Sequence, residues 1–124
     1  MVLALVAGLV AGGYASVCPV MLVSGLGERG ERDEIVITFR NAGKLPIRRL
    51  ELACVAGGLL GVCGETNALF YPGMEYTLRY PYPSGKRDVV TVSVKTVTTA
   101  DGFVWKGSKK LGCRTLRITP PKSR

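Results

Sequence analysis

The residues best equipped for chemistry are four cysteines, Cys18, Cys54, Cys63 and Cys113. A cysteine sulfur can attack a substrate, ligate a metal or form a disulfide. Attack requires a neighbouring base, and the 124-residue chain contains no histidine. Zinc ligation is disfavoured on the same ground, because no pair has Cys-x-x-Cys spacing and no imidazole completes a site. Disulfides remain. Four cysteines allow three pairings. The favoured set is Cys54–Cys63, which closes a short local loop, with Cys18–Cys113, which ties the first extended segment to the last.

The other reactive side chains form no catalytic set. Asp88 and Asp101 stand at opposite ends of one extended segment, too far apart for paired acid–base work. Ser84-Gly85-Lys86 belongs to a hairpin connection and is not the strand-to-helix turn that cradles phosphate. Glu28, Glu31, Asp33 and Glu34 are interleaved with Arg29 and Arg32, which reads as a solvated loop and not a calcium site. The sequence therefore implies no metal, no cofactor and no enzymatic activity. Phe70, Tyr71, Tyr76, Tyr80 and Tyr82 have the composition of a sugar platform. The competing expectation places Tyr76 and Tyr80 in a core, with Phe70, Tyr71 and Tyr82 covering sheet edges. Trp105 is expected beneath the closing hairpin or beside the Cys18–Cys113 bridge.

Basic residues number 17 and acidic ones 9, a formal charge of +8. Residues 1–85 are balanced, seven against seven, so the whole excess lies beyond Gly85. Lys106, Lys109, Lys110, Arg114 and Arg117 form the candidate anion-binding group, extended by Lys122 and Arg124. Such a field steers acidic partners, here acidic polysaccharide, lipid head groups or the acidic face of another protein. It also serves as a solvated surface that discourages strand-edge pairing. Nucleic acid is not an expected partner, since no aromatics interleave with the cations as stacking platforms.

Residues 1–15 carry no charged side chain, and Val2–Val10 is an apolar run ending in Gly12-Gly13-Tyr14-Ala15. The pattern is that of a secretory signal without its usual basic leader. The alternatives are a retained buried segment or a strand donated to a neighbour. An exported small chain with an even cysteine count fits a secreted, periplasmic or cell-surface location.

Beyond Cys18 the chain alternates apolar and polar residues, with Val, Ile, Thr and Tyr enriched. Pro19–Ser24 reads as a first strand and Gly25–Asp33 as a charged loop. Ile35, Ile37 and Phe39 share one face of a strand over Glu34–Arg40. Leu50, Leu52 and Cys54 share one face over Ile47–Val55. Gly57–Gly64 reads as a glycine-rich connection. Met74, Tyr76, Leu78 and Tyr80 alternate with Glu75, Thr77 and Arg79, while Val90, Val92 and Val94 point inward, as do Leu116 and Ile118. Pro72-Gly73 and Asp101-Gly102 mark turns. Seven or eight short strands that each bury one face require a second sheet, so the expected fold is an all-β antiparallel sandwich. A small barrel is the alternative. The domain spans 16–119, preceded by the apolar segment 1–15 and followed by a basic tail over 120–124.

The stretch Ile35–Gly43 followed by Ile47–Leu52 resembles the second and third strands of immunoglobulin-like sandwiches in secreted bacterial proteins, the FxLYD-type group. In that group a strand ends in Asn, a small turn follows and an amphipathic strand comes next. Leu69–Tyr80, with Pro72-Gly73 inside it, is similar to the group's next segment. Asp101-Gly102-x-x-Trp105 with Cys113 is similar to the closing hairpin of small exported sandwiches. The resemblance implies an immunoglobulin-like fold and brings no catalytic residues. The all-β pattern with exposed strand candidates and no catalytic set points to a structural or interaction module, self-assembling or bound to a protein partner.

Overall fold

A computed structural model describes residues 17–57, 59–83, 88–107 and 112–121, with the backbone alone considered over 59–62. Eight strands follow in chain order: β1 (Val20–Glu28), β2 (Glu34–Asn41), β3 (Ile47–Ala56), β4 (Leu59–Phe70), β5 (Glu75–Pro81), β6 (Val90–Thr99), β7 (Val104–Lys106) and β8 (Leu116–Ile118). All pairings are antiparallel. One sheet has the order β1-β2-β5. The other has the order β4-β3-β6-β7, with β8 also paired to β6. The chain therefore changes sheet between β2 and β3, between β4 and β5, and again between β5 and β6. This is immunoglobulin-like connectivity with the fourth strand on the sheet of the third.

Side-chain alternation dictates the two inner faces. Ile35, Ile37 and Phe39 of β2 are buried, as are Leu50, Leu52 and Cys54 of β3 and Val90, Val92 and Val94 of β6. Trp105 on β7 and Ile118 on β8 fill the far edge of the same layer. The outer faces are polar ladders. Arg40 pairs with Glu75 at 2.7 Å, Arg79 with Glu28 at 2.6 Å, and Arg49 with Glu65 at 2.8 Å.

The closing edge differs from a single last strand. β7 pairs with Thr96–Thr98, and β8 pairs with Val90–Val92, so both lie end to end along one edge of β6. Between them the chain leaves the sheet and returns, with Cys113 in the excursion bonded to Cys18 (Cα–Cα 5.3 Å). Cys54–Cys63 bridges β3 to β4 (Cα–Cα 5.2 Å). Both pairings are those favoured from spacing.

Four local expectations are corrected. The glycine-rich stretch 57–64 is mostly strand, because β4 pairs with β3 from Leu59 onward, with a bulge at Cys63. β1 continues through Glu28, four residues into the expected loop. Its Gly25 is needed there: a Cβ at that position would stand 2.8 Å from Ile118 Cδ1, so the bare backbone lets β8 close against β1. Met74 is exposed, since β5 begins at Glu75 and Met74 belongs to the preceding turn. Phe70 and Tyr82 are buried; only Tyr71 of the expected edge aromatics is exposed. Phe70 packs edge-on against Phe39 and Tyr76, with ring centroids 5.0 and 4.9 Å away.

Candidate functional site

The apolar segment 1–15, Lys109, Lys110, the Ser84-Gly85-Lys86 loop and the end of the tail lie outside the described residues. Of the candidate anion-binding group, Lys106, Arg114 and Arg117 are exposed along the β7–β8 edge. Register places Lys106 opposite Thr96 and Arg117 opposite Thr91, so both stand on the outer face of β6. No ion pair engages these three among the described residues, whereas Arg40, Arg49 and Arg79 are each held by a glutamate.

Other candidates resolve into scaffold roles. Glu28 and Glu34 both accept from Arg79, and no cluster of metal-ligating side chains occurs among the described residues. Tyr80 bonds Thr66 through its hydroxyl at 2.9 Å, and burial raises its phenol above the ordinary range. The Tyr82 hydroxyl donates to Asp88 O at 2.6 Å. Asp101 accepts from the Thr99 hydroxyl and from Phe103 N–H, which hold its carboxyl below the usual value. It therefore organises the β6–β7 turn.

The feature that sequence reasoning missed is one end of the sandwich. Here lie the chain entry at 17–19 and the turns at 42–46, 71–74 and 100–103. Backbone hydrogen bonds join them. Ala42 N donates to Pro19 O at 2.8 Å, Gly73 N to Asn41 O at 2.8 Å, and Ala100 N to Pro46 O at 2.8 Å. Asn41, wholly buried, is the hub. Its Nδ2 donates to Leu45 O and Phe70 O, both at 2.9 Å, and its Oδ1 accepts from Gly43 N at 2.9 Å. Two of these side-chain bonds close the 42–46 turn and the third ties it to the end of β4, so the buried amide here is satisfied.

Turns tied in this way present apolar tips. Leu45 is 48 % exposed, Tyr71 52 %, Met74 55 % and Phe103 61 %. Val17, Leu69 and Val104 flank them. Of the nine large apolar side chains exposed among the described residues, all but Leu26 and Val55 belong to this end. The opposite end is charged, with Arg29, Glu31, Arg32 and Asp33 in the β1–β2 turn. Scattered exposed apolar residues are ordinary; their concentration at one pole is not. The sequence signal was present, since turns ordinarily polar carry Leu45, Met74 and Phe103. It could be recognised only once the fold gathered these turns together.

No helix among the described residues is long and apolar enough to cross a membrane, and the two bridges are those of an oxidising environment. No protein-family model and no curated protein sequence matches the chain.

Proposed function

We propose that the chain is a non-catalytic module of the cell surface or the secreted fraction, related to immunoglobulin-like interaction domains, and that it works by contact. The observation that carries this reading is the apolar pole formed by Leu45, Tyr71, Met74 and Phe103 on a disulfide-stapled frame. A stapled sandwich holds loop tips in fixed relative positions. Apolar tips kept in water without an occupant cost solubility and return nothing, so an occupant is the economical explanation. The test is a photo-crosslinking phenylalanine analogue placed at Phe103, compared with one at Ser24 on the outer face of β1, in the cells that make the protein. Adducts, with protein or lipid, are expected from position 103 and not from position 24. Equal or absent labelling at both positions refutes the reading.

A second reading assigns anion binding to the β7–β8 edge, favoured by the absence of ion pairs to Lys106, Arg114 and Arg117 among the described residues. It takes acidic polysaccharide or lipid head groups as ligand. Retention on an anionic matrix then falls steeply with salt. Neutralising Lys109, Lys110 and Arg114 together abolishes retention; unchanged retention refutes this assignment.

A further inference from the structure

We propose that the open edge of β5 pairs with β5 of a second copy of the chain. The two strands run antiparallel about a two-fold axis at Thr77 and join two β1-β2-β5 sheets into one. This surface is separate from the apolar pole and from the β7–β8 edge, and the proposal depends on neither reading.

β5 is an outer strand. β2 lies on one side of it, and among the described residues no strand lies on the other. The hydrogen bonds at its two ends fix which backbone groups stay open. Asn41 N donates to Met74 O, and Tyr82 N donates to Asp33 O. In an antiparallel ladder such bonds fall on alternate residues, so Met74, Tyr76, Leu78, Tyr80 and Tyr82 turn their N–H and C=O groups toward β2. Glu75, Thr77 and Arg79 turn theirs outward, and all three residues are exposed.

The stretch Glu75-Tyr76-Thr77-Leu78-Arg79 runs acid, apolar, threonine, apolar, base, so it reads the same backwards with its charges exchanged. Pairing about Thr77 sets Glu75 opposite the partner's Arg79, Arg79 opposite the partner's Glu75, and Thr77 opposite the partner's Thr77. Those three residues hold the open backbone groups, so each facing pair can exchange two hydrogen bonds. Tyr76 and Leu78, half-buried in a single chain, face the partner's Leu78 and the partner's Tyr76. Sliding by two residues either way leaves no unlike charges facing each other. Rows already present on the outer face continue across the axis. Arg40 holds Glu75 at 2.7 Å, Glu28 and Glu34 hold Arg79, and Thr38 meets Thr77 at 3.2 Å. Signs therefore alternate from Arg40 through Glu75 to the partner's Arg79.

The other edges lack this match. β1 is closed over by β8 and the residues after it: a Cβ at Gly27 would stand 2.5 Å from Thr119 O. β4 carries Glu65 and no cation, while β7 and β8 carry Lys106 and Arg117 and no acid. Charges blunt a strand edge when like meets like; on β5 the two-fold brings unlike charges together. An edge whose charges complement its own reverse fits a second copy of itself.

The test uses the full chain with both bridges intact. Sedimentation equilibrium is expected to show a monomer–dimer equilibrium, weak because so short a ladder buries little surface. Amide hydrogen exchange gives the register. On concentrating the sample, the N–H groups of Glu75, Thr77 and Arg79 are expected to slow at least about fivefold, while those of Tyr76 and Leu78 stay protected throughout. Glu75→Arg and Arg79→Glu, each alone, set like charges face to face and are expected to weaken the dimer at least about tenfold. Mixed in equal amounts, the two variants restore unlike charges at both ends, and the dimer is expected to return. Thr77→Lys keeps the ion pairs within each chain and sets like charges at the axis, so it too is expected to weaken the dimer. Emission of the buried Trp105 verifies that each variant is folded.

A monomer at every concentration up to about 1 mM overturns the inference. So does a mixture of the two folded charge variants no more dimeric than either alone. A dimer whose amides at 75, 77 and 79 exchange as in the monomer, and which Leu45→Asp with Met74→Asp abolishes, also overturns it. That result would place the second copy at the apolar pole and leave the contact reading standing.

Discussion

Asn41 gives the sharpest test of how this fold is held. Replacing it with alanine removes three side-chain hydrogen bonds at a site with no solvent access. At about 1 kcal/mol net per bond, the direct loss is about 3 kcal/mol. Leu45 O, Phe70 O and Gly43 N would then be left seeking partners, which raises the expected cost to about 3–5 kcal/mol. For a domain of this size, that corresponds to a fall in melting temperature on the order of 15 °C. Asn41→Asp keeps the shape but turns a second acceptor oxygen toward the Leu45 and Phe70 carbonyls. Its folded-state carboxyl must then titrate above the unfolded value of about 3.9. The sign follows: the penalty is full at neutral pH and shrinks as pH falls toward the unfolded value, while the Asn41→Ala penalty stays flat. Thermal and urea denaturation followed by emission of the buried Trp105, run at pH 7 and pH 4.5, measure both. An alanine variant melting within about 3 °C of the parent would refute the reasoning. So would an aspartate variant whose deficit is the same at both pH values.

Three further outcomes follow from the same structure. Loss of Cys18–Cys113 (sequence separation 95) should cost about 2 kcal/mol more than loss of Cys54–Cys63 (separation 9), because the longer loop gains more unfolded-state entropy. Paired Cys→Ser denaturation curves check this. Gly64→Ala should destabilise by about 1–3 kcal/mol, since the added Cβ would overlap the Tyr80 ring. The two-dimensional NMR spectrum should show the change concentrated around Thr66 and Tyr80. Asp101 should titrate below an ordinary aspartate in carbon-detected NMR. Because its carboxyl is depressed by the Thr99 hydroxyl first and Phe103 N–H second, its contribution is present above the unfolded value and fades as pH drops through the folded one. The stability gap between parent and Asp101→Ala should therefore narrow in acid.

Much of the frame could be read from residue order because the core strands alternate strictly. Ile35, Ile37 and Phe39 leave only one register that hides all three. The bridges were readable because spacing and the missing histidine left few options. Reading failed where glycine is used for something other than a turn. Gly25 and Gly64 sit inside strands because Ile118 and the Tyr80 ring need the space a side chain would fill. In one dimension, such glycines are indistinguishable from loop residues. The apolar pole was hidden for a different reason. Leu45, Met74 and Phe103 are 29 residues apart in each step along the chain, and only the Asn41 hydrogen bonds and the sheet crossings make them neighbours. The candidate anion group was readable as composition, yet only Lys106, Arg114 and Arg117 fall among the described residues.

The way the last two strands share one rail of β6 has a bearing on how the protein survives damage. A protease that cuts the backbone once between Lys106 and Cys113 frees no fragment. Upstream, the chain stays on the rail through β7; downstream, the severed piece keeps its covalent link at Cys18 and its ladder through β8. Cleavage there would be invisible on a gel until a reductant is added, and the molecule would carry a new pair of chain ends with its interior intact.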